Sequence, residues 1–229
     1  MIALLTGLLA VIGVGQALYG ARLVARFSWA SREPAAGNPP VTVLKPLHGD
    51  EPMLEDALHS LCQLPYAPLQ IVFGVQSPDD SAIPVVRRMQ TRFPSADIAL
   101  VIDPALHGQN RKICNLINML PTARHDVLMI ADSDVHVRPD YVERLVAALE
   151  RPGVGLVTTL YAALPASTGL PAQLGALQIT HNFLPGALLA RSMGRSDCLG
   201  ATMCLRRTDL ERIGGLEALV DHLADDNVL

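Results

Sequence analysis

Two carboxylates two positions apart, Asp132 and Asp134, stand directly after the apolar run Val127-Leu-Met-Ile-Ala131. That run has the length and composition of a strand buried on both faces. In open α/β sheets ligands bind just beyond the carboxyl ends of the strands, and the two acids fall there. A carboxylate pair at this spacing suits a hard divalent cation, which keeps its other positions for water and phosphate oxygens. Such a cation can hold a nucleotide diphosphate and stabilise it as a leaving group. The competing reading is structural. Acids after a strand also make turns or cap the next helix, and Pro139-Asp140 reads as a helix start.

Other groups could complete such a site. His107-Gly-Gln-Asn-Arg-Lys-Ile-Cys-Asn-Leu116 opens a helix, with Gly108 and Asn110 suited to a tight turn and Lys112 and Asn115 on one face. A helix N-terminus carrying a lysine is a natural place for phosphate. The alternative is a solvated Arg111-Lys112 pair. Gln76 and the acids Asp79 and Asp80 follow an apolar run at Leu69–Val75, and a second acidic pair, Asp225 and Asp226, lies near the end of the chain. That pair can equally be solvated. His181 reads as a core histidine with a partner. Cys62, Cys114, Cys198 and Cys204 form no CxxC and have no histidine cluster beside them, which disfavours zinc. They read as small buried hydrophobes or free thiols in a reducing compartment.

These residues need a scaffold. The 229 residues are 50% hydrophobic with a net charge of −4, enough for one sizeable core and no invitation to nucleic acid. Aromatic content of 4% argues against a base-stacking platform. Residues 1–26 read as a transmembrane anchor, because Met1 to Ala21 carries no charge and about 20 apolar residues span the hydrocarbon core. Gln16 is tolerable there if another helix offers it a partner. Arg22, Arg26 and Arg32 place the downstream side in the cytoplasm, and Trp29 adds an interfacial anchor. Residues 27–40, rich in Pro and small residues, form a linker. From residue 41 to 229 one domain is expected. Strands are expected at 41–47, 69–75, 98–102, 127–131, 154–159 and 200–205, and helices at 52–63, 81–93, 107 to about 120, and 141–150. A further helix at 209–213 is expected to be capped by Thr208. The alternation argues an α/β fold with a mainly parallel, helix-covered, Rossmann-like sheet. Leu170 to Leu189 carries no charge. It can lie on a membrane surface, line a lipid cleft or form an ordinary packed helix pair.

The combination of marks resembles the membrane-bound, family 2/21-like glycosyltransferases of the ceramide glucosyltransferase type, which have the GT-A fold. The marks are Leu44-Lys-Pro-Leu47, Val75-Gln76 with Asp79-Asp80, Gly108-x-Asn110-x-Lys112-x-x-Asn115-Leu116, Asp132-Ser133, Gly153-Val-Gly-Leu-Val157, Gly214-Gly215-Leu216 and Ala224-Asp-Asp226. The resemblance covers residues 41–229 and implies roles position by position. Lys45, Pro46, Gln76, Asn110, Lys112, Asn115 and Asp132 would meet the sugar nucleotide. Asp79 or Asp80 would contact its base or ribose, with Ser77 standing where the family pattern has an acid. Asp132 and Asp134 would hold Mg²⁺ or Mn²⁺ on the diphosphate. Asp226, preceded by Asp225 where glutamate is expected, would supply the general base. The family's final Q/R-x-x-R-W motif does not occur in this sequence, which implies an incomplete form.

The implied reaction is inverting transfer from a UDP-sugar to a lipid hydroxyl at the membrane. The anchor and the Val-Leu-Lys-Pro-Leu-His-Gly-Asp run are most similar to the bacterial members associated with hopanoid synthesis. That similarity implies N-acetylglucosamine as the sugar, a hopanoid polyol as acceptor, and the bacterial inner membrane as the location. Glucosylation of ceramide is the close alternative. A polysaccharide synthase, a non-catalytic nucleotide-sugar-binding membrane protein and a cytosolic nucleotidyltransferase complete the set.

Overall fold

The structure, a computed structural model, describes residues 2–29 and 37–222. These residues group into two compact units. One comprises the N-terminal helix and Leu160–Asp197; the other is the α/β chain up to Thr159 and again from Cys198.

The α/β unit is built on one six-stranded sheet. Its strands are β1 (Val41–Pro46), β2 (Leu69–Val75), β3 (Asp97–Ile102), β4 (Val127–Ala131), β5 (Leu156–Thr158) and β6 (Thr202–Arg206), in the order β3-β2-β1-β4-β6-β5. Strands β1 to β4 are parallel, and β6 enters antiparallel between β4 and β5. β1 and β2 are buried nearly throughout because helices cover both faces of the sheet. Alternate residues feed two cores. Val43, Ile71, Phe73 and Met129 pack under α2 (Leu54–Cys62), α3 (Ala82–Arg92) and α5 (Tyr141–Leu149). Leu44, Val72, Leu128 and Ile130 pack under α4 (Arg111–Met119) on the other face, together with Leu210, Leu216 and Leu219.

The strand order reverses direction at β1. β2 and β3 lie to one side of it and β4 to the other. The carboxyl ends of β1 and β4 meet at this switch point, the place where such sheets bind ligands. Two backbone features shape that end. Gly74 in β2 lets α4 come close: a Cβ there would fall 2.3 Å from Met119 Sδ and 2.6 Å from Asn115 Oδ1. Met53, just before α2, is the one non-glycine residue with positive φ among the described residues, at φ 64°, a conformation L-residues adopt rarely.

Three local expectations change. The helix after β6, α8 (Arg207–Arg212), starts two residues early, with Arg206 rather than Thr208 at the capping position. The cause is that Arg207 N donates to Asp126 O at 2.7 Å, so the chain turns as soon as β6 ends. Strand β5 keeps only three residues, and β3 is half-buried because it lies at the sheet edge.

In the other unit, α1 (Ile2–Trp29) runs through Arg22 and Arg26 and is exposed at every residue from Ile2 to Tyr19. It is long and apolar enough to cross a membrane. The uncharged segment forms α6 (Leu170–Gln178) and α7 (Leu184–Ser192), joined through one π-helical turn at Ile179–Phe183. The polar residues Thr180, His181 and Asn182 lie in that turn. His181 is exposed rather than a core histidine. α7 packs on α1, where a Cβ on Gly20 would stand 3.0 Å from Pro185 Cβ.

The close approach at Gly74 sets a test. Gly74→Ala must push Met119 and Asn115 aside, and overpacking of this kind costs on the order of 1–3 kcal/mol. A lowered melting temperature in detergent is the expected outcome. An unchanged melt would show that α4 does not sit this close to β2.

Candidate functional site

The turn after β4 is held from four directions. From β1, Lys45 Nζ donates to Asp132 O at 2.5 Å and Val135 O at 3.2 Å. From α4, Lys112 Nζ pairs with Asp132 Oδ1 at 2.7 Å. From the loop before α2, Glu51 Oε2 accepts from Ser133 Oγ at 2.5 Å. From the start of β6, Ala201 O accepts from Asp132 N at 3.1 Å. Val135 N closes the turn on Asp132 O at 3.2 Å, and Val137 N donates to Ser60 Oγ in α2 at 3.0 Å. The Asp132 side chain keeps 36% of its surface open, and Asp134 is exposed.

Lys45 is placed beneath this turn, with 1% of its surface exposed. Burial pushes its pKa down to about 8, against the pull of Asp134 and Asp132. Its ammonium meets backbone carbonyls. Pro46, buried at the end of β1, continues the same wall.

The N-terminus of α4 stands beside the acids through Lys112. Asn110 caps the helix: its Oδ1 accepts from Ile113 N at 3.2 Å, satisfying one of the open amides of the first turn. Its Nδ2 donates to His222 O at 2.7 Å, its backbone N donates to Val220 O at 2.8 Å, and Gln109 N donates to Asp221 Oδ1 at 3.1 Å. Gly108 fits there because a Cβ would fall 2.7 Å from Asp221 Oδ1 and 2.8 Å from Val220. The chain at Val220–His222 is therefore fastened to the loop that opens α4. Asn115, one turn on, donates from Nδ2 to Gly74 O at 2.8 Å. Its Oδ1 and the Nε2 of Gln76, at the end of β2, are buried without a partner among the described residues.

A family model for glycosyl transferase family 21 matches residues 5–229. The chain belongs to glycosyl transferase family 21. Ceramide glucosyltransferase 1 of Caenorhabditis elegans is 24% identical over 194 residues, which is 85% of this chain and 42% of that protein. Ceramide glucosyltransferase of Candida albicans is 29% identical over 121 residues, 48% of this chain and 22% of that protein. The family 21 chain thus spans less than half the length of these relatives. Among solved structures, a Pyrobaculum calidifontis mannosyltransferase in complex with GDP-mannose and Mn²⁺ aligns over 99% of this chain and 61% of its own, with a TM-score of 0.63 and 21% identity. Staphylococcus aureus TarS residues 1–349 align over 82% of this chain and 53% of theirs, with a TM-score of 0.54 and 14% identity. Both likenesses concern the fold, which is GT-A-like.

The two acids that follow Gln76 separate in the family 21 fold. Asp80 is committed to the scaffold: its Oδ1 accepts from Gly49 N and Ala82 N, both at 2.9 Å, and its side chain is 5% exposed. Asp79 is exposed, so of the pair it is the one open to a ligand. Asp225 and Asp226 lie outside the described residues. Among the described residues no group of three or more His, Cys, Asp or Glu side chains gathers as a metal site. Asp132 and Asp134 offer two hard oxygen donors of the kind that bind a cation together with phosphate oxygens and water. The pair fits such a cation, and the adjacent Lys112 suits the phosphate.

Sequence reasoning passed over Glu51 and Ser60. No spacing marks them, because each reaches the turn from a different segment. The nearest signal was the acid next to Pro52.

The division between Asp79 and Asp80 is testable by stability. Asp80→Ala leaves two part-buried amides without their acceptor and is expected to cost about 1–3 kcal/mol in denaturation. Asp79→Ala is expected to leave the transition unchanged. Equal effects from the two variants would contradict the assignment.

Proposed function

We propose that this chain carries the donor-binding part of a membrane-associated inverting glycosyltransferase that moves a hexosyl unit from a UDP-sugar to the hydroxyl of a ceramide-like lipid. The observation that carries the reading is the meeting of Asp132 and Lys112 at 2.7 Å, at the carboxyl end of β4. It joins a cation ligand and a phosphate-binding ammonium at the sheet's switch point. Family 21 membership supports the reaction class, and the ceramide glucosyltransferase relatives favour a ceramide-like acceptor. Those relatives lend no support to N-acetylglucosamine or a hopanoid polyol, so the ceramide reading takes precedence.

Each residue has a task in that reading. Asp132 and Asp134 would hold Mg²⁺ or Mn²⁺, which when bound neutralises charge on the leaving diphosphate. Lys112 moves from Asp132 to the phosphates as the donor enters. Gln76 and Asn115 offer an unpaired amide donor and carbonyl acceptor to the nucleotide, and Asp79 faces its base or ribose. Asp226, with Asp225 beside it, takes the proton from the attacking lipid hydroxyl. Its support is sequence position: the chain is tied to Asn110 at His222, three residues before Asp225. Base and leaving group on opposite faces of the sugar give inversion. α1 anchors the protein, and Arg22 and Arg26 favour the cytoplasmic side for the chain beyond α1.

The test is transfer by membranes containing the protein, with UDP-glucose or UDP-N-acetylglucosamine against ceramide or a hopanoid polyol, and with or without Mn²⁺. A glucosylceramide that disappears with EDTA is the expected product. Asp132→Asn should lower the rate about 10²–10³-fold, as loss of a charge-stabilising group does. Asp226→Asn should lower it about 10²–10⁴-fold, as loss of a general base does. Near-normal transfer by Asp226→Asn would remove the base assignment. UDP binding with no lipid product from any pair would remove the transfer itself.

A further inference from the structure

The chain has 18 Lys and Arg residues, and only two of them, Lys45 and Lys112, are lysines. Both ammonium groups end on the same four-residue turn, one on its backbone and one on its leading carboxylate. Every other cationic side chain is an arginine. The difference is chemical. A lysine ammonium is compact and can donate to two carbonyls that converge from one side, whereas the planar guanidinium fork needs a wider berth. Lys45 makes two such bonds from the sheet beneath the turn and is among the largest fully buried side chains of the unit.

We propose that Lys45 is the positioning residue of the donor site, one that never touches the donor and instead shapes the Asp132–Val135 turn before the donor arrives. The role rests on the functional reading above and assigns Lys45 to the turn's backbone. Its ammonium draws the Asp132 and Val135 carbonyls down towards β1. The Asp132 and Asp134 carboxylates stay at the surface. The Ser133 hydroxyl on Glu51 fixes the middle of the turn from the side. With the carbonyls fixed, the two carboxylates hold their relative geometry without help from a cation. Groups that orient metal ligands from behind in this way change affinity without contacting the metal.

The experiment compares the full protein with Lys45→Met, and uses Val72→Ala as a control that deletes core volume on the opposite face of the sheet. Calorimetry with Mn²⁺ and UDP should show Lys45→Met about 10–100-fold weaker, the range for lost outer-shell partners of a metal site. Val72→Ala, though less stable, should bind as wild type. Hydrogen exchange at Val135, whose amide closes the turn, should already be slow in wild type without ligand. It should change little when Mn²⁺ and UDP are added, and should become fast in Lys45→Met. Wild-type affinity in a folded Lys45→Met would overturn the proposal. So would a wild-type Val135 amide that becomes protected only after UDP and Mn²⁺ are added, and this arm decides the matter even if Lys45→Met fails to fold. Absence of UDP binding in wild type would instead strike the functional reading itself, and this role with it.

Discussion

A charged ammonium with almost none of its surface in water must find acceptors, because an uncompensated buried charge is far costlier than any hydrogen bond it could replace. Lys45 sits under that constraint, and the turn after β4 answers it. Two carbonyls of the turn supply the acceptors, and the acids Asp132 and Asp134 supply the opposing charge. The need runs both ways. The turn carries two carboxylates within three residues, which repel one another, and Lys45 from below with Lys112 from the side balances them. The site thus stays assembled by its own internal pairing.

That pairing depends on the sheet. β1 and β4 are neighbours, register Leu44 against Ile130, so Lys45 and Asp132, just beyond that pair, emerge side by side at the same edge. α4 brings Lys112 to the same edge only because Gly74 offers no side chain on the β2 face it covers. Asn110 then fixes where α4 begins and fastens the chain at Val220–His222 to that point. Removing any of these contacts would leave the carboxylates present and their arrangement lost.

The strands were legible because buried parallel strands are apolar runs of strand length; β4 occupies the five residues expected of it, Val127–Ala131. The acids stood out as candidate ligands because they end such a run. What could not be read was direction and depth. β6 looks like any short strand in sequence, and its antiparallel entry beside β4 comes from long-range pairing. Lys45 resembles a donor-contacting lysine in a motif, yet its side chain points into the sheet's covered layer, which composition does not reveal. Asp79 and Asp80 are neighbours with identical chemistry, and only the loop at Gly49 decides which one is consumed by the scaffold. His181 was misread because a histidine in an uncharged run looks buried, whereas the run is a helix broken by a π turn with that histidine outside.

The unit of α1 and Leu160–Asp197 shows the opposite chemistry. Its cleft of about 800 Å³ runs along α1 and the π turn, past Gln16, Gly20, Thr180, His181 and Pro185, and none of its lining residues is Asp, Glu, Lys or Arg. A diphosphate would find no cation there to replace its water. Hydrocarbon loses nothing by entering such a space, and the few hydroxyl and amide groups along it suit an alcohol. Leu170, Leu174 and Leu177 add exposed apolar surface to the same unit, which in water would be a liability and at a membrane is not. The separation is what the proposed reaction requires. In that reading the donor would be an anion that needs cations held by a rigid sheet, and the acceptor a lipid alcohol that needs an uncharged, apolar bed. One core could not offer both, because the charges that bind the first would have to be desolvated by the second.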